Sequence, residues 1–324
     1  MPGHLSLNPG SIRPSQLVRA ARVRVVSLLV VAAVWAGVAD RAEARDAATR
    51  THESGPLTSA VRALKWRQMP AHGILLKDMK SGQTLYEFRA HERLSPASLT
   101  KIMSAMIILE SANLQDEVVV SERAARAHRT RLRIKPGAIF KLEDLIKAML
   151  IVSANDACLA AIEHVGGDEA HFVEMMNAKA AALGLRETHF GNGCGFDRPD
   201  HYSTAEDLAV LSETALQNPV FRTLVRQERD LISPLNGNRV YLLRNTNRLL
   251  GRMPGVEGVK TGFTSKAGRC LIAKVSQEGH EVLLVLLGAR RRWTTASSLL
   301  DYGLKLVEFT TPKNMGAGPA AVAE

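Results

Sequence analysis

Ser98 and Lys101 stand three residues apart in the run Ser95-Pro96-Ala97-Ser98-Leu99-Thr100-Lys101. On a helix that spacing puts a hydroxyl and an amine on one face. The apolar residues that follow, from Ile102 through Met103, Met106 and Ile107 to Leu109, predict a buried helix. Ser95 is expected at its cap and Pro96 at its first position, where a missing N–H costs nothing. Ser98 then lies in the first turn, among backbone N–H groups without intrahelical acceptors. An apolar flank would strip water from Lys101, lower its pKa and let it take a proton from the serine at neutral pH. Taken alone, Ser-x-x-Lys is a weak signal, since a capping serine beside a snorkelling lysine reads the same way.

Two further stretches could complete such a site. Ser153-Ala154-Asn155 puts small polar residues between two apolar helical runs, where a helix break capped by Ser153 is the simpler structural reading. Lys260-Thr261-Gly262-Phe263-Thr264 stands where a strand is expected to begin.

The elements that must position these residues fall into an order along the chain. Residues 71–90 are expected to form a hairpin around Lys80-Ser81-Gly82-Gln83. From Ser98 to about Ala182 the pattern is helical, with a break at Lys135-Pro136-Gly137. Residues 184–204, rich in Gly, Asn, His and Pro, read as an ordered loop, and Ser203 to Glu206 as the capping box of the next helix. A short hairpin is expected around Asn236-Gly237, then two strands over 270–275 and 281–287, and a final amphipathic helix from Trp293 to Phe309. Strands at both ends with helices between predict an α+β fold: an antiparallel sheet flanked by helices, an all-helical second lobe over about residues 104–225, and the site in the cleft between them.

The 324 residues, 46% hydrophobic, suffice for a large core, and the formal net charge is +10. Arg13, Arg19, Arg22 and Arg24 precede an apolar stretch from Val25 to Ala39 and then Ala42-Glu43-Ala44. That pattern predicts a signal peptide cleaved after Ala44 and an exported protein; as a retained anchor it falls short of the roughly 20 residues a span needs. The remaining chain stays basic, which suits an anionic partner or simply a soluble surface. The arginines lack interleaved aromatics, which argues against nucleic-acid binding. Residues 310–324, a Gly/Pro/Ala tail, are expected to be disordered, with no membrane anchor there. Cys158, Cys194 and Cys270 have no metal spacing. Cys158 and Cys270 are expected to be buried and Cys194, among glycines, exposed; one disulfide is open to any two of them. His91-Glu92-Arg93-Leu94-Ser95 lacks the second histidine of a zinc motif, and no cofactor is called for.

The three motifs occur in the order known for serine acyl-transfer enzymes. With Pro96–Met103, Ser153-Ala154-Asn155-Asp156-Ala157, His201-Tyr202-Ser203-Thr204-Ala205 and Gly258–Thr264, the chain resembles the low-molecular-mass penicillin-binding proteins, which are D-alanyl-D-alanine carboxypeptidases, over roughly residues 65–309. The resemblance implies removal of the terminal D-Ala from peptidoglycan stem peptides through an acyl-enzyme, and covalent inhibition by β-lactams. Its loop departs from the usual pattern, reading Asn192-Gly193-Cys194-Gly195-Phe196.

On the residues themselves, Ser98 is expected as nucleophile, Lys101 as base, and Ser153 with Lys260 as the relay to the leaving amine. Asn155 is expected to orient the substrate amide. The Ser98 and Phe263 amides would hold the oxyanion. Thr261, Gly262 and Thr264 complete the substrate strand, with the two threonine hydroxyls and an arginine taking the free carboxylate; by register against the final helix Arg292 resembles the arginine of that family, and Arg290 is its rival. DD-endopeptidase activity on crosslinked peptidoglycan is the alternative. A class A β-lactamase is disfavoured because no Glu-x-x-x-Asn occurs, and a non-catalytic wall-binding protein because all five catalytic side chains are present.

Overall fold

Strand-forming residues cluster far apart in the chain, and folding joins them into one sheet. The computed structural model describes residues 71–310, which belong to one compact unit. The expected leader, the segment before residue 71 and the tail beyond 310 lie outside the described residues. β1 (Gly73–Asp78) and β2 (Thr84–Phe88) form the first hairpin, whose turn is tied by the Lys80 and Ser81 amides donating to Asp78. β9 (His280–Ala289) pairs with β1, β8 (Gly268–Gln277) with β9, and β7 (Val256–Thr264) with β8. All pairs are antiparallel, the order is β2-β1-β9-β8-β7, and β7 is an edge strand.

From Leu271 to Val275 and from Val282 to Leu287 every residue is buried. Such unbroken runs mean that both sheet faces are covered. Helix α8 (Arg292–Thr310) packs on β1, β8 and β9, and α6 (Ala205–Ala215) on β1 and β9.

Between β2 and β7 lies the helical lobe. A 3-10 turn, Ala97–Thr100, runs into α1 (Lys101–Ser111), which is buried from Lys101 to Ile108. Helices α3 (Leu142–Ile151), α4 (Asn155–Gly166), α5 (Glu169–Ala182), α6 and α7 (Pro219–Arg226) surround α1. That encirclement explains why α1 is apolar all round. Asp168 caps α5, and Asn218, followed by Pro219, caps α7. The cap of α6 is Thr204, one residue past the expected Ser203. One continuous apolar core joins lobe and sheet, from Ile102 and Leu145 to Ile272 and Val285.

The lobe is not purely helical. β3 (Glu117–Val119) pairs with β4 (Ile139–Lys141), setting buried Val118 opposite buried Phe140. Helix α2 (Glu122–Ala125), capped by Ser121, follows β3. Three-residue strands carry too little alternation to be read from sequence. β5 (Arg229–Ile232) and β6 (Tyr241–Arg244) form the hairpin expected around Asn236-Gly237.

Two local expectations are corrected. Ser95 does not cap the motif helix: its hydroxyl donates to Asp197, and no side chain caps the 3-10 turn. The cause is Ala97, at φ +49°, which breaks the backbone between Pro96 and the helix. Cys194 is not exposed. It is 1% accessible and bonded to Cys158 of α4, which settles the open pairing, while Cys270 is buried, as expected, and free. The neighbouring glycines serve close packing rather than exposure. A Cβ on Gly193 would lie 2.6 Å from Ile162 of α4.

Candidate active site

Ser98 enters the site because two glycines let backbone approach its own. The turn that carries it packs against β7 and β8. A Cβ on Gly262 of β7 would lie 3.2 Å from the Ser98 nitrogen. On the other side, Gly195 has φ +85°, and a Cβ there would fall 2.0 Å from the Ala97 carbonyl oxygen and 2.9 Å from the Ser98 nitrogen. No other residue type fits at Gly195 without displacing the Ser98 backbone. Ser98 itself is half-buried.

Lys101, one turn on, is completely buried. Its Nζ lies 3.1 Å from Ser98 Oγ, 2.8 Å from Asn155 Oδ1 and 2.5 Å from the Cys194 carbonyl oxygen. Burial, then repulsion from Lys260, pushes its pKa well below the ordinary 10.5. The surrounding acceptors fix the direction of its lone pair. Asn155 Nδ2 donates to the His128 carbonyl at 2.8 Å, so its Oδ1 faces Lys101 and can only accept. The Cys194 carbonyl can only accept too. A neutral amine has two N–H bonds and one lone pair. Both N–H bonds go to these oxygens, which leaves the lone pair for the Ser98 hydroxyl.

Asn155, expected from sequence to orient substrate, has both ends of its amide engaged inside the protein. It holds Lys101 on one side and the 128–134 loop on the other. Buried Asp156 pins that loop by accepting from the Leu132 and Ile134 amides.

Ser153 sits at φ +62°, a left-handed conformation that costs a serine about 1–3 kcal/mol. It does not cap α4, whose cap position is Ala154. Its hydroxyl instead accepts from Lys260 Nζ at 2.9 Å; Lys260 also donates to the Thr261 carbonyl at 3.0 Å. Burial, with repulsion from Arg292, lowers the Lys260 pKa to about 7.

The residues expected to hold a carboxylate divide into two groups. Thr261 Oγ1 lies 2.6 Å from Thr246 Oγ1 at the wall of a 580 Å³ pocket that Arg290, Arg291 and Arg292 also line. Arg292 Nη1 donates to the Gly262 and Cys270 carbonyls, both at 3.0 Å, bracing β7 against β8. Its Nε is buried with no hydrogen-bond partner. Burial, followed by the Arg269 and Arg248 charges, lowers its pKa to about 10. Thr264 stands apart. Its hydroxyl donates to Asp197 at 2.6 Å and accepts from the Ala267 amide, so it is engaged within the fold and not turned to the pocket. The Phe263 side chain is exposed.

Sequence reasoning missed three groups. Asp197 joins Ser95 to Thr264, Thr246 abuts Thr261, and the Cys194 carbonyl grips Lys101. Nothing in sequence marks a main-chain acceptor. His201 belongs to the His201–Ala205 motif, yet its position in the chain suggests no role for it. The Gly191 amide donates to its Nδ1, so Nε2 carries the hydrogen and donates to Thr100 Oγ1, which donates to the Ala97 carbonyl. Burial lowers its pKa to about 4 and keeps it neutral, locking the turn that carries Ser98.

A buried amine 3.1 Å from a serine hydroxyl beside an edge strand is the arrangement that a serine acyl-transfer site of the Ser-x-x-Lys class requires. The family model described as D-alanyl-D-alanine carboxypeptidase matches residues 59–291, and this chain belongs to that family. It is 34% identical to the D-alanyl-D-alanine carboxypeptidase DacF of Bacillus subtilis over 74% of this chain and 63% of that protein. With DacB2 of Mycobacterium tuberculosis it shares 31% identity over 73% of this chain and 83% of the relative. The chain thus spans less than two thirds of the length of DacF and most of DacB2. Among solved structures, the Streptomyces K15 DD-transpeptidase superposes with a TM-score of 0.70 at 28% identity, covering 74% of this chain and 98% of that one. A D-alanyl-D-alanine carboxypeptidase from M. tuberculosis gives 0.69 at 30%, covering 76% and 94%. Among the described residues no helix is long and apolar enough to cross a membrane.

Proposed function

We propose that this protein is an exported serine DD-carboxypeptidase that removes the terminal D-Ala of peptidoglycan pentapeptide through an acyl-enzyme on Ser98, and that β-lactams acylate the same serine. The observation that carries the reading is the buried Lys101 amine, 3.1 Å from Ser98 Oγ and flanked by two oxygens that can only accept. Ser98 Oγ attacks the D-Ala–D-Ala carbonyl carbon while its proton passes to Lys101 Nζ. The Ser98 and Phe263 amides stabilise the resulting oxyanion, each contributing about 3 kcal/mol. The C–N bond then breaks, and the leaving amine takes a proton through Ser153, kept poised by the Lys260 ammonium. Water hydrolyses the ester and restores Ser98. Thr261 and Arg292, with Arg290 lining the adjoining pocket, take the carboxylate of the departing D-Ala.

The number of arginines in the pocket beside Thr246 favours a second reading, DD-endopeptidase activity. Arg248, Arg269, Arg290, Arg291 and Arg292 line it, more cations than one terminal carboxylate requires. Incubation of the purified protein with defined pentapeptide and with crosslinked muropeptides, read by mass, separates the two. Loss of one alanine from pentapeptide supports the first, and cleavage of crosslinks the second. Failure of labelled penicillin to attach at Ser98 would refute both.

A further inference from the structure

Two of the three groups around Lys101 Nζ belong to segments joined by a covalent bond. Asn155 is the first residue of α4. Cys158, one turn further along the same helix, is disulfide-bonded to Cys194, whose carbonyl is the other acceptor. Asn155 Oδ1, the α4 backbone, the disulfide, the Cys194 carbonyl and Lys101 Nζ therefore form a closed ring of contacts.

The segment that carries Cys194 needs such a tie. Residues 191, 193 and 195 are glycine, which leaves their backbone unusually free before folding. Asn192 organises the loop from within, its Oδ1 accepting from the Cys194, Gly195 and Phe196 amides, but those bonds do not attach the loop to the lobe. Ser104 donates to the Gly193 carbonyl, and the Gly193 amide donates to Glu169 at 3.2 Å. Among the described residues the disulfide is the covalent tie, and the sulfurs it joins belong to residues 0% and 1% exposed.

We propose that the Cys158–Cys194 disulfide positions the catalytic base: it holds the Cys194 carbonyl against Lys101 and keeps water from the amine, so that the acylation rate depends on the bridge being closed. Cys158 and Cys194 are positioning residues, acting through Lys101 without touching substrate. A dithiol that opens the bridge leaves thiols on Cys158 and Cys194 and is itself oxidised to a disulfide. The loop is then free to withdraw, and Lys101 gains water and the proton that water stabilises. The inference rests on the proposed acyl-transfer function. If oxidised wild-type protein is never acylated at Ser98, that function fails first and the disulfide is not in question.

The experiment follows acylation by a fluorescent penicillin in the oxidised full chain, in the same chain after dithiol reduction and thiol counting, and in the Cys158→Ser/Cys194→Ser variant, with Cys270→Ser as control. The rate constant of acylation is expected to fall at least tenfold in the open forms, and the acid limb of its pH profile to move to higher pH as Lys101 regains solvent. The labelled fraction at saturation should remain near that of the oxidised enzyme, and reduction should slow Cys270→Ser by the same factor as the wild type. A merely structural bridge would lower the labelled fraction and leave rate and pH profile of the surviving enzyme unchanged, and that result overturns the proposal. If the double variant does not fold, the reduced wild-type chain decides between the two outcomes; if the buried bridge resists the dithiol, the variant does.

Discussion

Replacement of Lys101 by methionine separates catalysis from stability. Methionine matches the length of the apolar stem but supplies neither lone pair nor N–H. Loss of a positioned general base costs about 10²–10⁴ in rate. The effect on stability is the sum of two opposed contributions. In the wild type, burial makes the native state give up a proton that an ordinary lysine keeps, at a cost in stability for each pH unit below the usual lysine value. Methionine removes that cost. It also leaves the Asn155 Oδ1 and Cys194 carbonyl without their donor, at about 1–3 kcal/mol each. The two oppose each other, so Lys101→Met is expected to stay close to the wild type in stability at pH 7 while its acylation rate collapses.

The sign with pH follows from the depressed lysine pKa. Below the ordinary value the unfolded chain binds a proton that the native state excludes, so wild-type stability rises with pH up to about 10.5. The variant has no such rise, and its deficit should widen between pH 7 and 10. Denaturant unfolding at several pH values, with stopped-flow penicillin acylation, measures both. Acylation within tenfold of wild type would refute Lys101 as the base, and a pH-independent stability difference would refute its being held neutral.

Gly195→Ala puts a methyl 2.0 Å from the Ala97 carbonyl oxygen at φ +85°; a loss of about 2–4 kcal/mol in denaturant unfolding and a fall in acylation rate are expected, whereas unchanged values would mean that the loop yields freely. Because Lys260 titrates near about 7, the wild-type acylation rate should fall as pH rises through that value and the ammonium is lost. Lys260→Arg, charged throughout, should lose the alkaline limb while working at a lower plateau; a limb that persists would assign it elsewhere. His201, neutral down to about 4, makes the native state bind fewer protons than the unfolded chain between pH 4 and 6.5. Stability should fall across that window on acidification by up to about 1.4 kcal/mol per pH unit, and His201→Gln should flatten the slope.

Much of the site was legible because its chemistry is written in side-chain types at local spacing. Ser98 and Lys101 share a helical turn, and β8 and β9 announce themselves by apolar runs, broken in β8 only by Lys274. The sheet built from the chain's two ends followed from where the strand signals lay. Groups whose role depends on a distant partner were not legible. Asn155 has the composition of a substrate-binding residue, and only packing commits its amide to Lys101 and His128. Thr264 looks like a carboxylate ligand until Asp197, from a separate loop, takes its hydroxyl. Cys194 reads as exposed because glycines flank it, yet those glycines press the loop onto α4 and the Ser98 backbone. By itself the sequence determined which groups could exchange protons, since that is a property of side chains and of short-range helical geometry. Tertiary structure alone decided which way each proton can move, because a lone pair's direction is set by carbonyls and amides that residues far apart in sequence bring to one point.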